Sequence, residues 1–250
     1  MDGRDWYLVE YAGRNAWISS KYAKLTGGDG NGAADADSGV GAGGGDAHEP
    51  VKRGEKIVDL SKYQPDIDYD ALIEDTALII LRAGYRKSDG KIYMDECFKR
   101  HADELTERGV RFGVYFYSWA DSERKARDEA WEFVRYARAY DPLFWAVDVE
   151  KPEITREAIL AFAEELRGLV GDVEKIGAYV ANHLYADYGF DAVRDWFDFV
   201  WIPKYSAMRP MYPCDLWQYT DEGSVAGIDR GVDLNRITGE GHGLTWFTEG

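Results

Sequence analysis

The chain has 250 residues, 45% of them hydrophobic and 30% charged, which suits one large soluble domain with an appendage. Its formal net charge of −16 excludes a basic phosphate-binding surface, so no nucleic acid is expected as a partner, and it disfavours electrostatic attraction to anionic wall polymers or lipids. No apolar run approaches the roughly 20 residues of a membrane span, and the opening Met1-Asp2-Gly3-Arg4-Asp5 lacks the basic start and apolar core of a secretory signal.

In chain order, Trp6–Tyr11 alternates like a strand, Gly13-Arg14-Asn15 reads as a turn, and residues 16–19 read as a second strand. This W-Y-x-V-x-Y, turn, x-W-I-S-S-x-Y pattern resembles the last part of a bacterial SH3-like cell-wall module, with only about half of the module present in residues 1–26. Residues 27–50 are dominated by Gly, Ala and Asp, carry five acids and no Lys or Arg, and have Val40 as their only larger aliphatic. Such a segment cannot bury enough surface to offset its ordering entropy, and a flexible linker is expected there. Residues 51–250 form the body.

In the body, short apolar runs rich in β-branched and aromatic residues fall at 56–60, 77–82, 112–117, 144–150, 176–180, 199–202, 215–219 and 231–234. Residues 94–108, 122–140 and 155–170 have helical spacing. Near-continuous apolar strands separated by helices predict an α/β fold with a parallel sheet covered by helices. Eight such strands in about 200 residues predict a compact (β/α) barrel whose later strands are joined by loops rather than full helices. Cys97 and Cys214 have no CxxC partner and read as free thiols. The four histidines, His48, His101, His183 and His242, have no ligand spacing, so no structural metal site is expected.

Active sites of β/α barrels lie at the carboxyl ends of the strands. The first run ends in Asp59, the fourth in Asp148 and Glu150, and the last in Asp233, while the seventh ends in Gln218 and Tyr219. Asp148 and Glu150 are two apart on a strand and share one face. Several crowded carboxylates raise the pKa of one of them, giving a proton donor beside a carboxylate, the pair that glycosidic cleavage needs. Paired or solvated structural acids are the alternative for any one of them. Aromatics crowd the same ends, namely Tyr63, Tyr85, Tyr115, Tyr117, Trp119, Tyr179, Trp201, Tyr205, Trp217 and Tyr219, and flat rings suit a sugar groove.

At these residues the body resembles the family 25 glycoside hydrolases, the lysozymes of bacteriophages, bacteria and some fungi. The matching pieces are V-D-L-S-K-Y-Q-P at 58–65, L-I-I-L-R-A-G-Y at 78–85, G-V-Y-F-Y-S at 113–118 and A-V-D-V-E at 146–150. They continue with G-A-Y-V at 177–180, W-I-P-K-Y at 201–205, L-W-Q-Y-T at 216–220 and G-V-D-L-N at 231–235. Leu60 and Tyr63 stand where the family often has Val or Ile and Trp. The resemblance implies cleavage of the β-1,4 bond between N-acetylmuramic acid and N-acetylglucosamine in peptidoglycan, with no cofactor. It implies that Glu150 is the catalytic acid, Asp148 its partner, and Asp59 and Asp233 supporting acids. Tyr115, Tyr117, Tyr179, Trp201, Tyr205 and Gln218 are expected to bind substrate. The partner implied is the glycan strand of the bacterial cell wall, met by a monomer.

Two other readings compete. Lys204 lies just past the sixth strand, where barrel aldolases place a Schiff-base lysine, but that reading gives the acids no role. A catalytically inactive barrel that only binds cell-wall glycan is the non-enzymatic alternative, against which the intact acid set argues.

Overall fold

The computed structural model describes residues 54–249, together with the backbone of residues 6–11 and 14–19. The chain divides into two units, Met1–Val51 and Lys52–Gly250. In the first, β1 (Trp6–Tyr11) pairs antiparallel with β2 (Arg14–Ser19), Trp6 opposite Ser19 and Tyr11 opposite Arg14. The second strand thus starts at Arg14, inside the stretch expected to turn. The expected linker and the rest of the SH3-like segment lie outside the described residues.

The second unit runs β3 (Lys56–Leu60), α1 (Tyr69–Asp75), β4 (Thr76–Arg86), β5 (Ile92–Met94), α2 (Phe98–Glu107), β6 (Gly113–Tyr117) and α3 (Glu123–Ala137). It continues through β7 (Trp145–Val149), α4 (Arg156–Val170), β8 (Ile176–Val180), β9 (Phe199–Pro203), β10 (Leu216–Gly223), β11 (Val232–Ile237) and α5 (Leu244–Thr248). Eight strands close in the order β3-β11-β10-β9-β8-β7-β6-β4, with β3 pairing back onto β4. From β3 to β10 all neighbouring strands in the barrel are parallel. β11 is antiparallel to both β10 and β3, which corrects the expectation of a wholly parallel barrel. The reason is chain length: residues 224–231 are too few for the dozen or so that a parallel crossover needs. Only short 3-10 turns, Phe190–Ala192 and Arg194–Trp196, lie between β8 and β9, and β9, β10 and β11 are joined by loops.

Side chains alternate along every strand, which separates two cores. Outward residues such as Val58, Ile79, Val114, Val147, Ala178 and Val200 pack under the helices with Phe133, Phe162 and Leu166. Inward residues Ile57, Leu78, Ile80, Ala146 and Leu216 fill the barrel. Its lower end is closed by Phe144, Phe199 and Phe247, each fully buried, with ring centroids 5.1–5.6 Å apart and planes near perpendicular. Two inward positions are glycine because those rings need the room. A Cβ on Gly177 would come 2.2 Å from the Phe199 ring, and one on Gly113 2.1 Å from the Phe144 ring. α5, which supplies Phe247, lies outside every predicted segment.

Candidate active site

The same alternation carries acids to the barrel mouth. On β7 the inward series Ala146, Asp148 continues to Glu150 just past the strand end. On β3 the inward residue after Ile57 is Asp59. β11 runs the opposite way, so Asp233 reaches the mouth from the start of its strand, directly opposite Asp59 in the ladder. A cavity of ≈170 Å³ opens there, lined by all ten side chains proposed from the sequence and by Ser61, Tyr63 and Arg82.

A directed hydrogen-bond chain orients Asp59. The Trp201 indole donates to Asn235 Oδ1 (2.8 Å), and Asn235 Nδ2 donates to Asp59 Oδ2 (2.8 Å). From the other side the hydroxyls of Tyr179 and Tyr205 both donate to Gln218 Oε1 (2.9 Å each), and Gln218 Nε2 donates to the same Asp59 oxygen (3.0 Å). Burial still lifts the Asp59 carboxyl well above the usual carboxylate range, and Asp233 lifts it further, against the bonds from Asn235 and Gln218. Asp233 is pushed up to about 6, by burial first, then by Asp221 and Glu150, with the Asp59 hydrogen bond opposing. Two carboxyls so placed titrate as a pair.

The β7 acids form a second pair. Asp148 is 6% exposed, and its Oδ1 is buried without a hydrogen-bond partner among the described residues. Burial raises its pKa well above the ordinary value, and the charge of Glu150 adds to this. Burial also raises Glu150, but Lys151, Tyr117, His183 and Arg82 all pull it back. Both β7 carboxyls are thus held above the ordinary carboxylate range, and they titrate as a pair. Arg82 faces all these acids from β4; its Nε bonds Asp95 Oδ2 at 2.7 Å, and the buried Asp95 also accepts from the backbone N–H groups of Lys62 and Cys97.

The aromatic residues divide by depth. Tyr205 (52% exposed) and Tyr63 (62%) stand at the rim. Trp201 is 1% exposed and meets Tyr115 and Tyr179 edge to face at 5.9 and 4.8 Å, so it is floor rather than a stacking platform. Trp217 and Tyr219 point outward and stack beside Arg236, away from the cavity. Lys204 does not line the cavity; its ammonium bonds the Arg209 carbonyl at 2.8 Å, which removes the aldolase-like reading. Both cysteines are free and buried. Ser61, Arg82 and Asn235 were not singled out from the sequence. Strand parity marks two of them, since Arg82 is two beyond Ile80 and Asn235 two beyond Asp233.

A closed β/α barrel with paired carboxyls under a tyrosine-lined cleft at its strand ends defines a barrel of the glycoside-hydrolase class. The chain belongs to the glycosyl hydrolases family 25, whose family model matches residues 58–228. An autolytic lysozyme of Clostridium acetobutylicum is 22% identical over 200 residues, covering 73% of this chain and 56% of the lysozyme, so the chain spans about half of that relative. A glycosyl hydrolase 25 of Streptococcus pneumoniae, described as a virulence factor participating in host cell invasion, has 28% identity and a TM-score of 0.69 over 77% of this chain and 91% of its own. The catalytic domain of an endolysin from a Listeria monocytogenes bacteriophage matches at 25% identity and a TM-score of 0.69, over 78% of this chain and 97% of its own.

Proposed function

We propose that this chain hydrolyses the β-1,4 bond between N-acetylmuramic acid and N-acetylglucosamine in peptidoglycan, acting as a monomer on the bacterial cell wall. Glu150 protonates the leaving oxygen, Asp148 supports the positive charge that develops at the sugar, and Asp59 and Asp233 complete the acidic floor of the cleft. The observation that carries this reading is the β7 pair: two carboxyls on one strand face, both raised by burial, one deep and one at the cavity wall.

Bound substrate would place the proton within this pair. The unpartnered Oδ1 of Asp148 is a hydrogen-bond acceptor in a buried place. The acetamido N–H of a bound N-acetyl sugar would supply the bond that this oxygen lacks, favouring its charged form. The shared proton then resides on Glu150, next to the leaving oxygen, and the acetamido group is held beside the reacting carbon.

SH3-like wall attachment by residues 1–26, ahead of a linker at 27–50 and a catalytic body at 51–250, is proposed on the N-terminal pattern and the β1–β2 pairing. The test of activity is turbidity loss of purified bacterial walls with identification of the released ends. Muramic-acid reducing ends, absent with Glu150→Gln, are expected. Glucosamine ends would make the enzyme a glucosaminidase instead, and binding without new ends would leave only a glycan-binding barrel. Sedimentation at micromolar concentration should give a single species of monomer mass.

A further inference from the structure

A second cavity of ≈350 Å³ adjoins the active site, and Tyr63, Arg82, Tyr117 and Glu150 line both. It opens on the Glu150 side, since Asp148, Asp59 and Asp233 line only the first. Its sign is inverted relative to the molecule. In a chain of net charge −16, this annex is lined by Lys62, Arg82, Arg86 and Lys87 with Glu150 as its only acid.

The inversion is built by buried acids placed behind the walls. Asp95 holds Arg82 and the backbone N–H of Lys62. Glu129, fully buried, takes Arg86 Nε at 2.6 Å, Ser118 Oγ at 2.5 Å and the backbone N–H of Trp119 at 3.2 Å. These two arginines are thereby neutralised, and the walls are fixed. Two lysines, paired at most with exposed surface acids, carry the remaining positive charge at the cleft. The Lys87 ammonium lies 4.6 Å from the Tyr93 centroid and 5.5 Å from that of Tyr85, with the exposed Asp89 carboxylate also in its field. Lys62 lies 4.9 Å from the Tyr85 ring centre, with its ammonium shared with the exposed Glu96 at 3.3 Å. A bulge in β4 between Arg82 and Gly84 lets Tyr85, of opposite strand parity to Arg82, reach the same cleft.

We infer that this annex is a subsite for a carboxylate carried by the muramic acid unit of the substrate, gripped by Lys62 and Lys87 across the Tyr85 ring. The inference rests on the muramidase reading. Muramic acid carries such a group from two sources, the stem peptide or the bare lactyl ether when the peptide has been removed. Size favours the peptide, because the annex has about twice the volume of the reaction cavity (≈350 against ≈170 Å³), whereas a lactyl group is only a few atoms.

The test compares three soluble glycans: strands with stem peptides, strands stripped by an amidase to free lactyl carboxylates, and stripped strands whose carboxylates are converted to methylamides. The full chain and its variants Lys87→Gln and Lys62→Gln/Lys87→Gln are assayed on each. On peptide-bearing strands kcat/KM should fall about threefold for the single and about tenfold for the double variant, chiefly through KM, as expected for one and two solvent-screened ion contacts. The wild-type preference should shrink with added salt, and the methylamide strands should be cleaved alike by all three proteins. Equal losses on peptide-bearing and stripped strands would reassign the anion to the lactyl group and overturn the peptide assignment. Equal losses on all three strands, or none, would overturn the subsite itself. If wild type released no ends from any strand, the muramidase reading would fail first, and that outcome is distinct from cleavage that ignores the lysines.

Discussion

The floor and the mouth of the barrel are built from the same strands and have opposite chemistry. A step of two positions leads from Ile57 to Asp59 on β3, from Ile80 to Arg82 on β4, from Ala146 to Asp148 on β7 and from Leu216 to Gln218 on β10. At the lower end the inward side chains are apolar, packed ring to ring, and roomy only because glycines yield space. At the upper end they are acids, amides and tyrosines that are buried and held by one another. The floor stabilises the fold, while the mouth costs stability and makes proton transfer available. Changes in the two layers should therefore separate activity from stability.

The largest effect is expected at Glu150. Glu150→Gln should lower kcat by about 10²- to 10⁴-fold, the usual worth of a positioned acid. Its melting temperature should be no lower than wild type, because the change removes a carboxylate whose charged form burial disfavours. A melting temperature several degrees lower would instead place Glu150 among the residues that stabilise the fold.

The converse comes from Phe199, which touches both Phe144 and Phe247 at the floor. Phe199→Ala should cost about 3–5 kcal/mol, read as a fall in melting temperature on the order of 10 °C. At a temperature where the variant is folded, its KM should stay close to wild type. A loss below 1 kcal/mol would mean that the floor does not carry the stability assigned to it.

The mouth should also reveal its cost through pH. Asp59, Asp148, Glu150 and Asp233 all have folded-state pKa values raised above the ordinary carboxylate value. A raised acid keeps its proton longer in the folded than in the unfolded state, so its contribution is fully present below the unfolded pKa and is lost as pH rises through the folded one. For Asp233 that window runs from 3.8 to about 6. Melting temperature should therefore fall across this range, apart from opposing terms elsewhere, and Asp233→Asn should flatten the slope relative to wild type. An unchanged slope in the variant would remove Asp233 from the coupled set.

The smallest effect is expected from Trp201→Phe, which keeps an aromatic side chain but loses part of its volume and the indole bond to Asn235. It should cost about 1 kcal/mol of stability and lower kcat only a few-fold, since Asn235 and Gln218 still hold Asp59. A loss as large as that of Glu150→Gln would show that the positioning chain matters as much as the acid it orients.

Legibility in the sequence followed the same division. Short, near-continuous apolar runs were enough to find the eight barrel strands, and the acids at their ends, Asp59, Asp148, Glu150 and Asp233, were legible as a group because an acid pointing inward from such a run is costly to bury unless it is paired or put to use. Parity would also have excluded Trp217 and Tyr219, which flank the inward Gln218. Depth was not legible: whether an inward aromatic is rim or floor depends on strand stagger, so Trp201 read as a stacking surface when it is buried. The reversal of β11 was legible only in the short connection before it. α5 was missed because its five residues are too few to display a helical period, yet its Phe247 completes the floor.

If the mouth moves protons through its paired carboxyls, kcat/KM against pH on soluble peptidoglycan strands will show it, for wild type and Glu150→Gln. A bell with its maximum on the acidic side of neutral is predicted for wild type, its basic limb reporting loss of the proton shared by Asp148 and Glu150, with the variant's activity collapsed across the whole range. A flat wild-type profile from about pH 4 to 8, or a variant that retains the wild-type rate, would contradict it.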